Sequence, residues 1–256
     1  MTNQFVSDIH IQNQLKQVKL ILDSELQLGD RYLNGSLDYV KASTGKMLRP
    51  TFLLVGATFG TIKNEKELLN LATAIEVLHT ATLIHDDIID EAKLRRGKES
   101  IQSKYSKEYA VYMGDFLLSR CFMMLSNLDI DRESAVNISK AVNKVCIGEM
   151  KQNVMRYDVN ITPAIYFRII ARKTAALFAL SLGTGASFAD VDKTISKKLA
   201  RIGYHIGMTF QMVDDLLDFE GESGVVGKEV RSDIIRGNYS LPLIYALQSS
   251  NRIELV

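Results

Sequence analysis

Two short segments of the sequence each carry three aspartates in the pattern DDxxD, at residues 86–90 and 214–218. If each segment is helical, its first and last aspartates lie on one face, one turn apart. Like charges at this spacing destabilise a helix by about 0.2–0.5 kcal/mol per pair, and burying them without a partner costs considerably more. A divalent cation removes that penalty, and oxygen ligands suit magnesium, which binds substrate phosphates through one or two carboxylates. We therefore predict that these two segments, the first and second acidic motifs, bind Mg²⁺.

A solvated acidic helix face is the simpler explanation of a single DDxxD motif. Two motifs of identical spacing, both among apolar residues, favour metal binding instead. The apolar neighbours are Leu83, Ile84, Ile88 and Ile89 at the first motif and Met212, Val213, Leu216 and Leu217 at the second. Polar residues extend both faces: Thr82 and His79 precede the first motif at helical spacing, and Gln211 precedes Asp214 or Asp215. We expect His79 and Gln211 to face the sites.

A metal-bound diphosphate also needs cations, and three basic clusters could supply them. Lys46 and Arg49 stand at a predicted helix start, where free N–H groups bind phosphate and arginine adds bidentate contacts. Residues 95–98 read Arg-Arg-Gly-Lys and begin five residues after the first acidic motif, and residues 172–174 read Arg-Lys-Thr at the start of an apolar helical segment. Each cluster alone is typical of ordinary surface charge. Their places beside the acidic motifs favour chemistry on a phosphorylated, hydrophobic substrate.

The elements that must position these residues are predicted to be helices. Apolar residues recur at helical spacing along most of the chain, for example at Leu68, Leu71, Ala72, Ile75 and Leu78. Alternating β-branched runs are scarce, so we predict an all-α fold, with residues 1–256 forming one domain. Turn residues predict connections at residues 158–163, 183–190 and 221–227.

Composition narrows the classes of function. The chain has 256 residues, 46% of them hydrophobic and 24% charged, with a net charge of +1. A balanced charge gives no general field for nucleic acid, so we predict no nucleic-acid partner. No apolar run is long enough for a transmembrane segment, and residues 1–14 do not read as a secretory signal. Cys121 and Cys146 read as reduced thiols, so we predict a cytoplasmic protein, with peripheral membrane association left open.

Five sequence motifs together resemble the trans-polyprenyl diphosphate synthases, and especially their medium- and long-chain members. They are GKMLRP, HTATLIHDDIIDEAKLRRG, RKTAALF, QMVDDLLDF and LPLIYAL, in the order of that family, across residues 40–247. The resemblance implies a single-domain bundle of antiparallel helices around a deep central cavity, the isoprenoid synthase fold. It also implies head-to-tail condensation of isopentenyl diphosphate onto an allylic diphosphate primer, with release of diphosphate.

The resemblance also assigns roles to individual residues. Several Mg²⁺ ions would bridge Asp86, Asp90 and Asp214 to the allylic diphosphate, supported by Asp87, Asp215 and Asp218. Isopentenyl diphosphate would be held by Lys46, Arg49, His79 and Arg96, and the allylic diphosphate by Arg95, Lys173, Thr174, Gln211 and, more weakly, Lys228. The departing diphosphate would take the proton, so no side-chain base is assigned.

The length of the product depends on the residues one turn before the first acidic motif. Ala81 and Thr82 are small there, and a bulky aromatic residue would stop the growing chain early. Their size, together with the two-residue spacer of the first motif, favours a product longer than farnesyl. A geranylgeranyl- or farnesyl-length product is the alternative.

The sequence departs from the family pattern at three places. Thr44 replaces the first glycine of a usual Gly-Gly-Lys, and Asn238 replaces a lysine that would contact diphosphate. Members of the family also continue past LPLIYAL, so we expect that C-terminal helices are missing from this sequence. The Gly237-Asn238 pair is similar to large subunits of two-component heptaprenyl synthases, so both a homodimer and a heterodimer with a small subunit are predicted assemblies.

Three rival classes explain the sequence less well. An all-α phosphohydrolase could use His85-Asp86, but it needs further histidines and leaves the second acidic motif unexplained. A terpene cyclase would not need the isopentenyl-binding motifs GKMLRP and RRGK. A non-catalytic subunit would be expected to lose aspartates from one motif, and both are intact here.

Overall fold

The computed structural model describes residues 8–220 and 232–248, and the fold in these ranges is helical. The helices are α1 (Ile9–Glu25), α2 (Arg31–Ala42), α3 (Leu48–Ala57), α4 (Glu65–Ile89), α5 (Ile101–Lys104), α6 (Lys107–Ser126), α7 (Arg132–Val154), α8 (Pro163–Ile170), α9 (Ala176–Phe188), α10 (Lys193–Glu220), α11 (Ser232–Ile235) and α12 (Leu241–Leu247). The all-α prediction is therefore confirmed.

The chain divides into two compact units, each built from two separated parts of the sequence. The first comprises residues 1–134 and 181–199, and the second comprises residues 135–180 and 200–256. The prediction that residues 1–256 form one domain stays a prediction.

Helix α4 is the central helix of the first unit, packed against α1, α3 and α6. Asn64 begins it by accepting a hydrogen bond from the backbone N–H of Glu67, as a helix N-cap does. The predicted apolar stripe is confirmed, because each of its members is at most 1% exposed: Leu68, Leu71, Ala72, Ile75 and Leu78. Each buried leucine or isoleucine contributes about 1.5–3 kcal/mol to folding. The burial of this stripe anchors α4 in the first unit, and the first acidic motif lies at the C-terminal end of this helix.

A two-stranded hairpin follows α4 and was not predicted. Strand β1 (Leu94–Arg95) pairs antiparallel with β2 (Lys98–Glu99). Arg96 and Gly97 form the turn, with φ angles of 55° and 75°, as a two-residue hairpin loop requires. This turn places Arg95 beside Asp87 near the end of α4.

In the second unit, α8 begins at Pro163, capped by the side chain of Thr162. Residues 155–162 lie outside helices, so the connection predicted at residues 158–163 is confirmed up to its last residue. A π-helical turn, Ala171–Ala175, joins α8 to α9. It holds the Arg-Lys-Thr cluster, which therefore lies between two helices rather than at the start of one.

The connection predicted at residues 183–190 is wrong for most of its length, because α9 continues to Phe188. Its glycines allow close packing and do not break the helix. A Cβ on Gly185 would lie 1.9 Å from the carbonyl oxygen of Leu53. The connection predicted at residues 221–227 lies outside the described residues.

One described helix, α4, is long and apolar enough to cross a membrane by length and composition. However, 67% of its most apolar window is buried inside the protein. Core helices pass the same test, so this feature is weak evidence for a span.

Candidate functional site

The first acidic motif occupies the C-terminal end of α4. The backbone N–H of Asp90, which caps this helix, donates to the carbonyl of Asp86 at 2.8 Å. The first and last aspartates therefore lie one turn apart, as predicted. Carboxylates at a helix C-terminus face the negative end of the helix dipole, so a bound cation is favoured there.

The middle aspartate of this motif holds an arginine. Asp87 is 5% exposed, and its Oδ1 accepts hydrogen bonds from Arg95 Nε at 2.9 Å and from Arg95 Nη2. Burial alone would lower the pKa of Arg95, but Asp87, Asp86 and Asp90 outweigh it, and this pKa is raised. Arg95 is therefore a fixed cation beside the first acidic motif. The assignment of Asp87 as a magnesium ligand stays a prediction.

A second group of cations surrounds the middle of α4. Burial lowers the pKa of Arg49 to about 10, with Glu76 opposing the shift and Arg96 adding to it. Burial, followed by the charges of Arg49, Arg96 and Arg95, holds the pKa of His79 well below its ordinary value. The His79 imidazole is thus neutral near neutral pH, and it can donate a hydrogen bond without carrying charge.

Glu76 is the acidic residue of this group. It is 3% exposed, and its Oε2 has no hydrogen-bond partner among the described residues. Burial raises its pKa, against the opposing charges of Arg49 and Arg96. The structure thus brings together three predicted isopentenyl diphosphate ligands, His79, Arg49 and Arg96. They lie around the buried carboxyl of Glu76, which was not predicted.

The GKMLRP segment and the hairpin meet at Gly45. A Cβ on this glycine would lie 2.1 Å from Arg96 Nη2, while Arg96 Nη1 donates to the carbonyl of Ser43 at 2.7 Å. Met47, in the left-handed region at φ 55°, precedes α3 and places no side-chain hydrogen bond on its first turn. Lys46 is exposed beside it. The predicted helix start at this segment is therefore confirmed, and phosphate binding there stays a prediction.

His85 does not belong to this cationic group. Its Nε2 lies 3.4 Å from Asp115 Oδ1 of α6, and a Cβ on Gly114 would lie 2.3 Å from the same nitrogen. The His85 side chain therefore packs against α6, and this contact does not support a phosphohydrolase centre at His85-Asp86.

In the second acidic motif, the middle aspartate is again buried and hydrogen-bonded. Asp215 is 8% exposed. Its Oδ2 accepts from the Tyr166 hydroxyl at 2.6 Å and its Oδ1 from Gln211 Nε2 at 2.7 Å. The Thr174 hydroxyl donates to Gln211 Oε1 at 2.5 Å. Burial raises the pKa of Asp215, and the hydrogen bonds from Tyr166 and Gln211 oppose that shift.

The Arg-Lys-Thr turn supplies a lysine to the same unit. Lys173 Nζ donates to Glu149 Oε2 of α7 at 2.9 Å. A Cβ on Gly148 would lie 2.6 Å from the backbone nitrogen of Lys173, so α7 approaches this turn closely. Lys173, Thr174 and Gln211, three predicted ligands of the allylic diphosphate, are thus positioned by contacts within the second unit.

Both acidic motifs share one burial pattern. Their middle aspartates are buried, while Asp86, Asp90 and Asp218 are partly exposed and Asp214 is exposed. The apolar neighbourhood is less buried than we expected: Ile89, Val213, Leu216 and Leu217 are exposed. The motifs therefore present their outer carboxylates at the surface of each unit.

The two predicted chain-length residues occupy different environments. Ala81 is 0% exposed, inside the core around α4. Thr82 is partly exposed, and its hydroxyl donates to the carbonyl of His79 at 2.8 Å. Thr82 thus lies on the polar face of α4 and Ala81 on its packed face, so their role in chain length stays a prediction. Lys228 lies outside the described residues.

Sequence reasoning missed three residues that interact with predicted ligands, Glu76 through its charge and the other two through hydrogen bonds. Glu76 could have been found, because it stands one turn before His79 on α4. Tyr166 and Glu149 lie 49 and 24 residues away from their partners Asp215 and Lys173. No local pattern predicts contacts over such separations.

The acidic motifs fit magnesium as the partner of a phosphorylated ligand. Within the described ranges, no group of three or more histidine, cysteine, aspartate or glutamate side chains could hold a metal ion by itself. Each motif offers oxygen ligands from two outer aspartates, and magnesium commonly takes one or two carboxylates and completes its shell with phosphate oxygens and water. The donors present therefore match a magnesium site that substrate completes.

Comparison with known proteins identifies the family. The sequence model of the polyprenyl synthetase family matches residues 30–255. The chain is 40% identical to "Heptaprenyl diphosphate synthase component 2" of Geobacillus stearothermophilus, over 82% of this chain and 65% of that protein. It is 34% identical to octaprenyl diphosphate synthase of Escherichia coli, over 88% of this chain and 68% of that protein.

Solved structures agree with these sequence matches. The crystal structure of heptaprenyl diphosphate synthase from Staphylococcus aureus superposes with a TM-score of 0.89 at 34% identity, covering 96% of this chain and 77% of that one. A geranylgeranyl pyrophosphate synthase from Lactobacillus brevis gives a TM-score of 0.89 at 35% identity, over 96% and 76%. The chain spans 65% and 61% of the length of two heptaprenyl synthase components that it matches. From the family match and these similarities, the chain belongs to the polyprenyl synthetase family.

Proposed function

We propose that this protein is a prenyltransferase, which condenses isopentenyl diphosphate head-to-tail onto an allylic diphosphate and releases diphosphate. The observation that carries the proposal is the arrangement shared by both acidic motifs. In each motif a buried middle aspartate binds a donor of the kind that holds phosphate, Arg95 at Asp87 and Gln211 at Asp215. The outer aspartates are more exposed. Carboxylates for a metal and donors for a phosphate are thus fixed side by side.

The group around Glu76 suits isopentenyl diphosphate. Arg49 and Arg96 would bind its phosphate oxygens, and the Lys46 ammonium would add a further charge. Neutral His79 would donate a hydrogen bond while keeping its charge state near neutral pH, since burial and the neighbouring arginines hold its pKa low. Diphosphate recognition by several arginines is strong, because guanidinium groups match phosphate oxygens in bidentate pairs.

The network in the second unit suits the allylic diphosphate. Lys173 would turn from Glu149 to the phosphate, while the Gln211 amide, held by Asp215, would present its second N–H. The Thr174 hydroxyl donates to Gln211, so its oxygen would need to turn before it donates to a ligand. These residues would stabilise negative charge as it develops on the leaving diphosphate.

Magnesium bound by Asp86, Asp90, Asp214 and Asp218 would supply further stabilisation of the leaving group. The protein itself would position those carboxylates and keep phosphate-binding donors next to them. Asp87 serves this end through Arg95, and Asp215 serves it through Gln211.

We further propose a product longer than farnesyl, made together with a second subunit. Small Ala81 and Thr82 before the first motif support a long product. Among the relatives are heptaprenyl and octaprenyl synthases, which is consistent with it. A name ending in "component 2" describes one part of a two-part enzyme, and this supports a heterodimer with a small subunit over a homodimer.

The proposal is tested by incubating the purified protein with Mg²⁺, farnesyl diphosphate and labelled isopentenyl diphosphate. We expect label in extractable products that are longer than farnesyl. Chelation of the metal or Asp214→Asn should abolish the incorporation of label. Lys63→Ala, which removes an exposed lysine paired with Asp190, is the matched control and should leave it unchanged. Folded wild-type protein that incorporates no label, with or without a co-expressed small subunit, would refute the proposal.

A further inference from the structure

Tyr166 is a buried residue that contacts the second acidic motif at Asp215. It lies on α8 and is 4% exposed. Its ring packs in an apolar cluster whose buried members are Ile161, Ile169, Ile170 and Ile244. A tyrosine hydroxyl inside such a cluster needs a hydrogen-bond partner. The partner is Asp215 Oδ2, at 2.6 Å.

The hydrogen bonds that continue from Asp215 have a fixed direction. Asp215 accepts at both carboxylate oxygens, and Gln211 turns its amide nitrogen toward Asp215 Oδ1, at 2.7 Å. This places Gln211 Oε1 on the other side, where it accepts from the Thr174 hydroxyl at 2.5 Å. The amide therefore has one orientation, and its second N–H is the donor that a phosphate oxygen can take.

We propose that Tyr166 is a positioning residue for the diphosphate of the allylic substrate, acting through Asp215 on Gln211 and Thr174. The inference rests on the proposed function, because it assigns Tyr166 to that substrate. Tyr166 does not touch the substrate. It holds Asp215 in the rotamer that orients the Gln211 amide.

A purely structural role makes a different prediction. The Tyr166 ring fills space in the cluster, and phenylalanine would fill the same space. If the hydroxyl served stability alone, its loss would lower the melting temperature and the fraction of active protein. The KM values of both substrates would then stay the same.

The first experiment compares steady-state kinetics of Tyr166→Phe and wild type, with Tyr245→Phe as control. Tyr245 is 59% exposed on α12 in the same unit. Loss of a hydrogen bond to a charged group should raise the KM for the allylic diphosphate about tenfold. The KM for isopentenyl diphosphate should change less than about twofold, because its ligands do not share this network. Tyr245→Phe should match wild type throughout.

A double-mutant cycle tests the route through Gln211. Gln211→Met keeps the side-chain volume and removes the amide. In that background the Tyr166 hydroxyl no longer orients a ligand of the substrate, so Tyr166→Phe should change the kinetics little. Its effect on the allylic KM should fall from about tenfold to less than about twofold. An undiminished effect in the Gln211→Met background, or equal changes in both KM values, would overturn the inference. Wild type measured in the same assay separates this failure from failure of the proposed function, since the latter leaves wild type inactive.

Discussion

A methyl group added at Gly45 would test whether isopentenyl diphosphate binding depends on the position of Arg96. An ideal Cβ there lies 2.1 Å from Arg96 Nη2 and 2.4 Å from its Cζ, well inside van der Waals contact. The clash is with the end of a flexible and exposed side chain, so Arg96 moves and the backbone stays. Arg96 then gives up its hydrogen bond to the carbonyl of Ser43, at 2.7 Å.

The size of the effect follows from the charged hydrogen bond that a displaced Arg96 would no longer make to the phosphate of isopentenyl diphosphate. Hydrogen bonds made by charged groups contribute roughly 1.5–3 kcal/mol, which corresponds to about 10–100-fold in affinity. Gly45→Ala should therefore raise the KM for isopentenyl diphosphate by about that factor, with a much smaller change in the KM for the allylic substrate. Because Arg96 is exposed, the free energy of unfolding should change by less than about 1 kcal/mol.

Steady-state kinetics and thermal denaturation measure both quantities. Gly35→Ala is the matched control, because nothing lies within 4 Å of its added Cβ and it stands inside α2. Alanine there should raise the free energy of unfolding by about 0.5–1 kcal/mol and leave both KM values unchanged. In an Arg96→Ala background, Gly45→Ala should have no further effect on KM. An unchanged isopentenyl KM in Gly45→Ala, or a large loss of stability, would refute the reasoning.

Three further predictions follow from the buried carboxyls and from α4. Asp87→Asn should displace Arg95 and so lower kcat/KM by roughly 10–100-fold. It should shift the Mg²⁺ concentration for half-saturation less than Asp86→Asn does. Equal shifts in the two variants would contradict the role of Asp87 in positioning Arg95. Burial raises the pKa of Glu76 above its ordinary value of 4.5, so the folded state keeps a proton that the unfolded chain loses, and stability falls as pH rises above that value. The melting temperature of Glu76→Gln relative to wild type should therefore increase from acid to neutral pH, and a constant difference would exclude this titration. Thr82→Phe should shorten the products resolved by chromatography, and unchanged lengths would remove Thr82 from chain-length control.

Local sequence patterns predicted the parts of the site that depend on helix periodicity. Asp86, Asp90 and His79 could be placed on one helix because their spacings of three and four residues are the helix repeat. Gln211 could be assigned to the second motif for the same reason, and the structure confirms that it contacts Asp215. These inferences need no knowledge of tertiary packing.

Contacts between distant parts of the chain could not be predicted in this way. Tyr166 meets Asp215 only after α8 and α10 pack together, and its apolar neighbours read simply as core. The π-helical turn at Ala171–Ala175 shifts the register of Lys173 and Thr174, and it has no signature in the hydrophobic repeat. Backbone turns with positive φ, as at Arg96, were also missed.

Gly185 of α9 serves close helix packing rather than a turn. The sequence predicts a connection at residues 183–190, because glycine favours turns. In the structure, Gly185 lies inside the helix, where the absence of a Cβ lets α9 approach the backbone of α3 at Leu53. Close packing and turn formation use the same residue, and one sequence does not distinguish them.

The ratio of diphosphate released to isopentenyl units incorporated tests the proposed activity most directly. Purified protein, with its small subunit if one is required, is given Mg²⁺, farnesyl diphosphate and labelled isopentenyl diphosphate, and both products are counted in the same samples. Condensation predicts one diphosphate for each isopentenyl unit, and almost none when isopentenyl diphosphate is omitted. Diphosphate release from farnesyl diphosphate alone, without incorporation of label, would contradict a prenyltransferase and indicate a hydrolase or a cyclase.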